Sequence, residues 1–379
     1  MTELRTDFPT CDLFCRVIDN FGDAGVCWRL ARRLLALGVG RIRFITDHPE
    51  VLALLAPDAA EVAEVVPWDK FERRAAEPDF EPAGLVIETF GCRLPDAYDE
   101  ALAKKRATAL AAGRRPPFYF NLDYLSAEDW VEESHDVIGL HPRLDLPKLW
   151  FFPGFTSRTG GLMIEDDYEE KRRAGIARRG EFLASLGLEA ERFTTFVFCY
   201  PTNALEVLAQ GLALTERPRN ILLAPGAAGD VVEARLRALD PDGRRVRTVR
   251  TPFLPQTGFD QLLWSSDAVV IRGEDSFVRA QLSGTPLLWS TYPTEDHAHR
   301  VKLDAWLERF TKRFDDAGAA GRYRRMADDW LEGTLPPEAL SAFLEEAPLW
   351  RPAFESWRIE LLQNGDLGRR MLERAARGL

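Results

Sequence analysis

The first 140 residues alternate between short apolar runs and longer amphipathic stretches. The runs predict strands and the stretches predict helices, because a buried strand is almost continuously apolar whereas a surface helix carries one apolar stripe. The predicted strands cover 12–18, 41–46, 85–90 and 118–122, and the predicted helices cover 26–37, 49–55, 96–111 and 127–134. This order predicts a parallel sheet with helices on both faces.

The same alternation returns in the second half of the chain. Residues 142–161 are rich in proline and glycine and predict a loop, and a charged helical stretch follows at 165–186. The second series of predicted strands covers 194–199, 220–224, 246–250, 268–271 and 286–290, with helices at 204–211, 231–239, 259–264, 276–282 and 297–310. Two such series predict an α/β protein made of two Rossmann-like domains that face each other across a cleft.

The length of 379 residues also favours two domains. We expect an N-terminal domain over 1–160 and a helical linker over 161–190. A second domain is expected over 191–335. The helical pattern beyond it predicts C-terminal helices over 336–379 that pack back on the N-terminal domain.

Two carboxylates lie in the turn between the first predicted strand and the first predicted helix. Residues 17–26 have the sequence VIDNFGDAGV, in which Asp19 and Asp23 flank the Phe21–Gly22 bend. In an open α/β sheet this turn lies at the carboxyl end of the strand, where ligands bind. Two acids there favour proton chemistry or the recognition of a cation. The alternative is structural, with Asp23 capping the helix and Asp19 starting the turn.

A second polar cluster follows the predicted strand 268–271. Gly273 permits a sharp turn, and the N–H groups at the start of the next helix, with the Ser276 hydroxyl, favour an anion such as phosphate. Glu274 would repel a phosphate, so we expect it to face a sugar hydroxyl or a cationic acceptor. The alternative is that Asp275 or Ser276 is an ordinary N-cap.

Aromatic side chains near these turns are candidates for stacking on a nucleotide base. Phe253 and Phe259 flank Gln256, so the rings can stack on a base while the amide bonds to its edge. Phe198 and Tyr200 lie at the end of another predicted strand. Aromatic residues in loops also fill small hydrophobic cores, and the pattern alone leaves both interpretations open.

Charge and absent motifs narrow the function. The net charge of −11 disfavours broad binding to nucleic acid or to an anionic membrane. The five cysteines match no zinc or redox spacing, and the histidine spacings predict no metal site. No G-x-G-x-x-G follows the first strand, which disfavours a nicotinamide-dependent oxidoreductase. Without a long apolar run or an N-terminal signal pattern, we expect a cytoplasmic protein with no membrane partner.

The chain resembles the bacterial protein-arginine rhamnosyltransferases that modify elongation factor P. The resemblance rests on residues 17–26, 121–128, 152–161 and 272–281, which span both halves of the chain. It implies the GT-B glycosyltransferase fold. It also implies an inverting transfer of L-rhamnose from dTDP-β-L-rhamnose to an arginine guanidine of elongation factor P, with neither metal nor cofactor.

The resemblance also implies roles for individual residues. Asp23 corresponds to the general base, Asp19 to its neighbouring essential acid and Glu274 to a third functional acid. The donor contacts that we expect are Asn20, Phe21, Gly22, Phe198, Tyr200, Phe253, Gln256, Phe259, Asp275 and Ser276. The N-terminal domain would then hold the acceptor side and the base, and the second domain the nucleotide sugar. No role is assigned to Arg272 or Tyr292.

Two alternatives remain at this level. The chain is a GT-B enzyme with another nucleotide sugar or acceptor, such as an epimerase or a small-molecule transferase, or it is a non-catalytic nucleotide-sugar-binding protein. The second alternative predicts binding without turnover and no need for the Asp23 carboxylate.

Overall fold

The computed structural model describes residues 8–18, 21–202, 204–292, 294 and 297–378. The chain forms two compact units, the first made of Met1–Glu165 with Asn364–Leu379 and the second of Asp166–Gln363. Each unit contains one β-sheet flanked by helices. The α/β class predicted from the sequence is confirmed.

The sheet of the first unit has seven strands in the order β3-β2-β1-β4-β5-β7-β6. The strands are β1 (Cys11–Cys15), β2 (Ile42–Thr46), β3 (Glu64–Pro67), β4 (Leu85–Thr89), β5 (Phe118–Leu122), β6 (Val137–Leu140) and β7 (Pro147–Phe151). The helices between them are α1 (Phe21–Ala36), α2 (Pro49–Leu55), α3 (Ala59–Val62), α4 (Trp68–Ala75), α5 (Asp96–Ala111) and α6 (Trp130–Ser134).

The strand order of this sheet reverses between β1 and β4. Cys11 of β1 lies opposite Ile42 of β2 on one side and opposite Leu85 of β4 on the other, and both pairs are parallel. Loops that leave neighbouring parallel strands in opposite directions open a crevice at the carboxyl edge of a sheet. The turn that carries Asp23 follows β1 and therefore lies at this switch point.

The second unit has a five-stranded parallel sheet in the order β10-β9-β8-β11-β12. Its strands are β8 (Phe193–Phe198), β9 (Arg219–Leu223), β10 (Val246–Arg250), β11 (Ala268–Arg272) and β12 (Leu287–Ser290). Its helices are α7 (Tyr168–Ala177), α8 (Arg179–Ser185), α9 (Leu205–Ala213), α10 (Ala227–Leu239), α11 (Gln256–Trp264), α12 (Asp275–Ser283), α13 (Ala298–Phe310), α14 (Ala317–Glu332), α15 (Pro337–Glu345) and α16 (Ala347–Asn364). The last helix, α17 (Leu367–Arg377), packs against α1 of the first unit.

The second sheet has its own switch point between β8 and β11, where Ala268 pairs with Thr195 and Ile271 with Phe198. Both units therefore repeat the doubly wound arrangement in which a ligand crevice opens at the carboxyl edge. Phe198 ends β8, Tyr200 follows it, and Glu274 follows β11, whereas Phe253, Gln256 and Phe259 follow β10.

The central strands of the first sheet are buried on both faces, which explains why they are mostly apolar. Successive side chains point to opposite faces of a strand. Leu13 accordingly packs with Trp28 in one hydrophobic cluster, whereas Phe14 packs with Phe71 and Tyr98 in another.

The structure corrects several boundaries. The segment 142–161, predicted as a loop, contains β7. Proline is compatible with this strand, since Pro147 occupies its first position, where the missing N–H is tolerated. Helix α1 begins at Phe21, so Phe21 and Gly22 lie in the helix and not in the bend before it. The sequence pattern missed β3, α4 and the antiparallel strand β6.

The two units also differ in extent from the expected domains. Residues 166–190, expected as part of a linker, belong to the second unit, as do residues 336–363. Among the residues that the structure describes, no helix is long and apolar enough to cross a membrane.

Candidate active site

Asp23 lies in the first turn of α1 and is only 3% exposed. Its Oδ2 atom accepts the backbone N–H of Ile18 at 2.8 Å. Asp23 is the third residue of α1 and not its N-cap, and its bond to Ile18 ties the first turn of the helix to the chain that precedes it. The same contact fixes the orientation of the carboxylate. The predicted neighbours Asp19 and Asn20 lie outside the described residues.

Hydrogen bonds tie the carboxyl ends of β1, β2 and β4 together near Asp23. The backbone N–H of Val17 donates to Oδ1 of Asp47, which follows β2, at 3.0 Å. The Sγ of Cys27 donates to Oγ1 of Thr89 at 3.3 Å, and this hydroxyl donates to the carbonyl of Phe14 at 2.6 Å. These contacts hold the start of α1 against the end of β4.

The cysteines of this region are structural. All five cysteines of the chain are free and buried. A hydrogen bond with Cys27, followed by burial, raises the pKa of the Cys15 thiol, and burial raises the pKa of Cys92. Protonated thiols are poor nucleophiles and poor metal ligands. Within the described part of the chain, no three His, Cys, Asp or Glu side chains form a group that could hold a metal ion.

At the switch point of the second unit, a guanidinium lies against two rings. Phe198 ends β8, Tyr200 follows it, and Arg272 ends the neighbouring strand β11. The Arg272 guanidinium carbon is 4.6 Å from the centroid of each ring, which is the geometry of a cation–π contact. The backbone N–H of Tyr200 donates to Oγ of Ser290 at 3.3 Å, so the end of β12 joins the group.

Two helix N-termini converge beside Arg272. Gln256 begins α11 and Asp275 begins α12, and the Gln256 amide donates to Oδ2 of Asp275 at 3.2 Å. Glu274, and neither Asp275 nor Ser276, holds the N-cap position of α12, and its side chain makes no capping hydrogen bond. The ordinary-cap alternative for Asp275 and Ser276 is therefore wrong.

The turn before α12 leaves room for a ligand to approach the backbone. Gly273 has a φ of 74°, and a Cβ atom at this position would meet no atom within 4 Å. Ser276, in the first turn of α12, is half-buried. Backbone N–H groups at two helix starts, with an arginine beside them, form an environment that favours a phosphate or another anion.

The two phenylalanines expected to stack on a base lie in different surroundings. The Phe259 ring centroid is 5.8 Å from that of Phe196 and 6.1 Å from that of Phe198, so it belongs to an aromatic cluster. Phe253 is 46% exposed. Tyr292, to which the sequence assigned no role, packs edge to face on Tyr200 with ring centroids 5.2 Å apart.

The structure thus groups the expected donor residues Phe198, Tyr200, Gln256, Phe259 and Asp275 at one sheet edge, and it adds Arg272 to them. Sequence reasoning assigned no role to Arg272, although its position directly after an apolar strand was the available signal. Asp23, Phe21 and Gly22 belong to the first unit and Glu274 to the second.

Comparisons with known proteins identify the family of the chain. The family model of the elongation factor P (EF-P) rhamnosyltransferase EarP matches residues 11–376. The protein-arginine rhamnosyltransferase of Pseudomonas aeruginosa is 36% identical, over 96% of this chain and 97% of that protein. The protein of the same name from Pseudomonas putida is 39% identical, over 94% of this chain and 93% of its own length.

Solved structures share the fold. A structure that concerns EarP-mediated arginine glycosylation of translation elongation factor EF-P matches with a TM-score of 0.64 and 24% identity, covering 98% of this chain and 99% of that one. A UDP-glucosyltransferase from Polygonum tinctorium matches with a TM-score of 0.54 and 11% identity, covering 98% and 99%. The GT-B fold and the resemblance stated from the sequence are confirmed, and the chain belongs to the EarP family of EF-P rhamnosyltransferases.

Proposed function

We propose that this protein transfers L-rhamnose from dTDP-β-L-rhamnose to an arginine guanidine of elongation factor P, with inversion at the anomeric carbon. The observation that carries the proposal is the family match over residues 11–376. The two switch-point sites support it, because one presents a buried carboxylate and the other presents aromatic rings beside two helix N-termini.

The donor half of the proposal uses the second unit. The diphosphate carries negative charge that grows as the glycosidic bond breaks, and the starts of α11 and α12 offer N–H groups for it. Arg272 adds a fixed positive charge, held over Phe198 and Tyr200. The exposed ring of Phe253 is suited to stacking on thymine. We expect these groups to stabilise the leaving dTDP without a metal ion.

The acceptor half uses the first unit. A guanidinium is protonated at all ordinary pH values and is a poor nucleophile. Attack on the anomeric carbon forms the C–N bond as the C–O bond to the diphosphate breaks, and the guanidinium must lose one proton in the same event. We assign that proton to the Asp23 carboxylate, with Asp19 orienting the other guanidine nitrogens. Glu274 is the third proposed acid. We propose that this protein modifies elongation factor P in the cytoplasm.

The decisive experiment is the intact mass of purified elongation factor P after incubation with this protein and dTDP-β-L-rhamnose. We expect a gain of one deoxyhexose, unchanged by a chelator and formed at least about 100-fold more slowly with Asp23→Asn. Incubation with other nucleotide sugars tests the donor. Donor binding without any mass gain would instead support the non-catalytic alternative, and a gain only with another sugar or acceptor would support a different GT-B enzyme.

A further inference from the structure

The loop that follows β4 has an unusual backbone. Phe90 and Arg93 both have a φ of 54°, and Gly91 between them has a φ of 61°. Residues other than glycine rarely adopt this left-handed backbone conformation, because it costs about 1–3 kcal/mol of free energy for each residue. Such conformations persist where the surrounding structure enforces them, and they cluster at functional sites.

Buried polar contacts enforce this backbone. The N–H of Phe90 donates to the carbonyl of Leu122 at 2.8 Å, which joins the loop to the end of β5. The N–H of Arg93 donates to Oε1 of Glu88 at 3.0 Å. Glu88 is buried and also accepts from Nζ of Lys148 at 2.8 Å. A buried, paired carboxylate therefore holds the far end of the loop.

In this loop, the Phe90 ring stacks on the ring of Tyr124, which follows β5. The two rings are nearly parallel, with an interplanar angle of 14° and centroids 4.2 Å apart. The N–H of Tyr124 donates to Oδ1 of Asp123 at 2.7 Å. Phe90 is buried in the hydrophobic core, whereas Tyr124 is half-buried. Tyr124 is thus the member of the stack that retains exposed surface.

The stack and Cys27 of α1 belong to one hydrophobic cluster, so the stack lies on the sheet face that α1 covers. Asp23 and Cys27 are four residues apart, so they share one face of the helix about 5–6 Å from each other. Cys27 contacts Thr89, the residue before Phe90. Helix α1 starts at the carboxyl edge of the sheet, so Asp23 lies one turn nearer that edge than Cys27 does. Strand β4 ends at Thr89 and runs towards the same edge, so the chain from Thr89 to Phe90 continues in the direction of Asp23. Gly91 of the same loop is exposed, and a Cβ atom on it would meet nothing within 4 Å.

We propose that Tyr124, supported by Phe90, forms an aromatic wall against which the acceptor arginine lies while Asp23 takes its proton. The proposal rests on the proposed function, because it needs a guanidinium substrate at Asp23. A planar guanidinium stacks well on an aromatic face, and such contacts contribute about 0.5–2 kcal/mol. Tyr124 contacts the substrate, and Phe90 is a positioning residue that holds the ring.

The test is a double-mutant cycle between Tyr124 and the acceptor arginine, with elongation factor P from the same genome as the probe. Calorimetry measures the binding of natural elongation factor P, and of a form whose acceptor arginine is changed to methionine, to the wild-type protein and to Tyr124→Leu. We expect Tyr124→Leu to weaken binding of the natural factor about 3- to 30-fold. The methionine form should bind both proteins alike.

Two further variants distinguish the effect of the Tyr124 aromatic face on binding from an effect of the substitution on folding. Tyr124→Phe should keep the affinity within about twofold, because the π-face remains. Incorporation of pentafluorophenylalanine at position 124 keeps the ring size but removes the negative charge from its face, so it should reproduce the loss seen with leucine. This pair reports on the proposal even if Tyr124→Leu does not fold. Trp150→Leu is the matched control, since Trp150 also stacks in this unit, on Phe152 at an angle of 14°, and should change no affinity.

Each outcome has one meaning. Equal losses for natural and methionine elongation factor P, or full affinity with pentafluorophenylalanine, would overturn the aromatic wall while leaving wild-type transfer intact. If the wild-type protein adds no deoxyhexose to elongation factor P, the proposed function itself fails, and the inference fails with it. KM for elongation factor P should rise in Tyr124→Leu while the affinity for dTDP stays unchanged.

Discussion

Arg279 of α12 and Asp260 of α11 form a buried ion pair in which Nε lies 2.9 Å from Oδ1. A second bond joins Nη2 to Oδ2, so the contact is bidentate. The guanidinium also lies over the ring of Tyr168, 4.5 Å from its centroid. The pair joins the two helices whose first residues are Gln256 and Asp275. It therefore sets the spacing of the two N-termini proposed to hold the donor diphosphate.

Removal of one partner of this pair should be strongly destabilising. Asp260→Ala leaves the Arg279 charge buried without its carboxylate, and we expect a loss of about 3–5 kcal/mol in the free energy of unfolding. Denaturant titration measures it. Glu308→Ala is the control, because the Glu308–Lys312 pair lies in the same unit with both side chains largely exposed, and its loss should stay below about 1 kcal/mol. Equal losses in the two variants would contradict the assignment.

Asp23→Asn should lower the transfer rate by about 10²- to 10⁴-fold, the usual contribution of a general base. The amide oxygen can still accept the Ile18 N–H, so the fold and the donor affinity should persist. Single-turnover mass spectrometry measures the transfer and calorimetry the affinity for dTDP.

A matched control for this substitution is Asp47→Asn. Asp47 accepts the neighbouring N–H of Val17 in the same way but has no proposed role in catalysis. We expect its transfer rate to remain within a few fold of the wild type. Loss of donor binding by Asp23→Asn, with an unchanged fold, would indicate that Asp23 is a donor ligand.

Phe253→Ala and Phe259→Ala should each weaken dTDP binding. Stacking of a base on an aromatic ring contributes about 1–3 kcal/mol, which corresponds to a 5- to 150-fold change in affinity. Phe253 is exposed, so its loss should leave stability unchanged, whereas Phe259 packs in a ring cluster and should also lower the unfolding midpoint. Phe182→Ala is the control, because Phe182 is a half-buried phenylalanine of α8 with no proposed role in donor binding. Unchanged affinity in both variants would discard the stacking assignment.

The first unit should lose stability in acid through His135. Burial lowers the pKa of His135 to about 4, and its Nδ1 accepts the N–H of Phe152 at 3.1 Å. The unfolded chain takes up this proton near the ordinary pKa of about 6.5. The contribution of the neutral His135 ring to the free energy of unfolding is therefore complete above about pH 6.5 and is lost as the pH falls towards 4. Relative to His135→Gln, the wild type should lose about 2 kcal/mol between pH 7 and pH 5.

Asp99 should have the opposite effect in the same unit. Burial raises the pKa of Asp99 to about 6, so the folded state holds a proton that the unfolded chain releases near pH 4. Its stabilising contribution is present below pH 4 and is lost as the pH rises to 6. Asp99→Asn should therefore make stability rise more steeply with pH between 4 and 6. A parallel pH profile for Asp99→Asn and the wild type, measured by denaturant unfolding, would refute this effect.

The local pattern of the chain was sufficient for the central strands. β1, β4 and β5 are buried on both faces, so each is a mostly apolar run, interrupted by at most two polar residues, that the sequence shows directly. β7 and the start of α1 could not be located in this way. Pro147 and the neighbouring loop residues resemble a loop in any local window, and the glycines of the first turn of α1 resemble a bend.

By itself, the sequence determined the α/β class, the family and the identity of most candidate residues, because these depend on local periodicity and on short uncommon strings. Only the tertiary structure decided which candidates meet. Arg272 reaches Phe198 and Tyr200 because β11 pairs with β8, and the Phe90 ring reaches Tyr124 because β4 pairs with β5. Strand pairing joins segments that are distant in the chain through backbone hydrogen bonds. No local pattern of side chains encodes those partners.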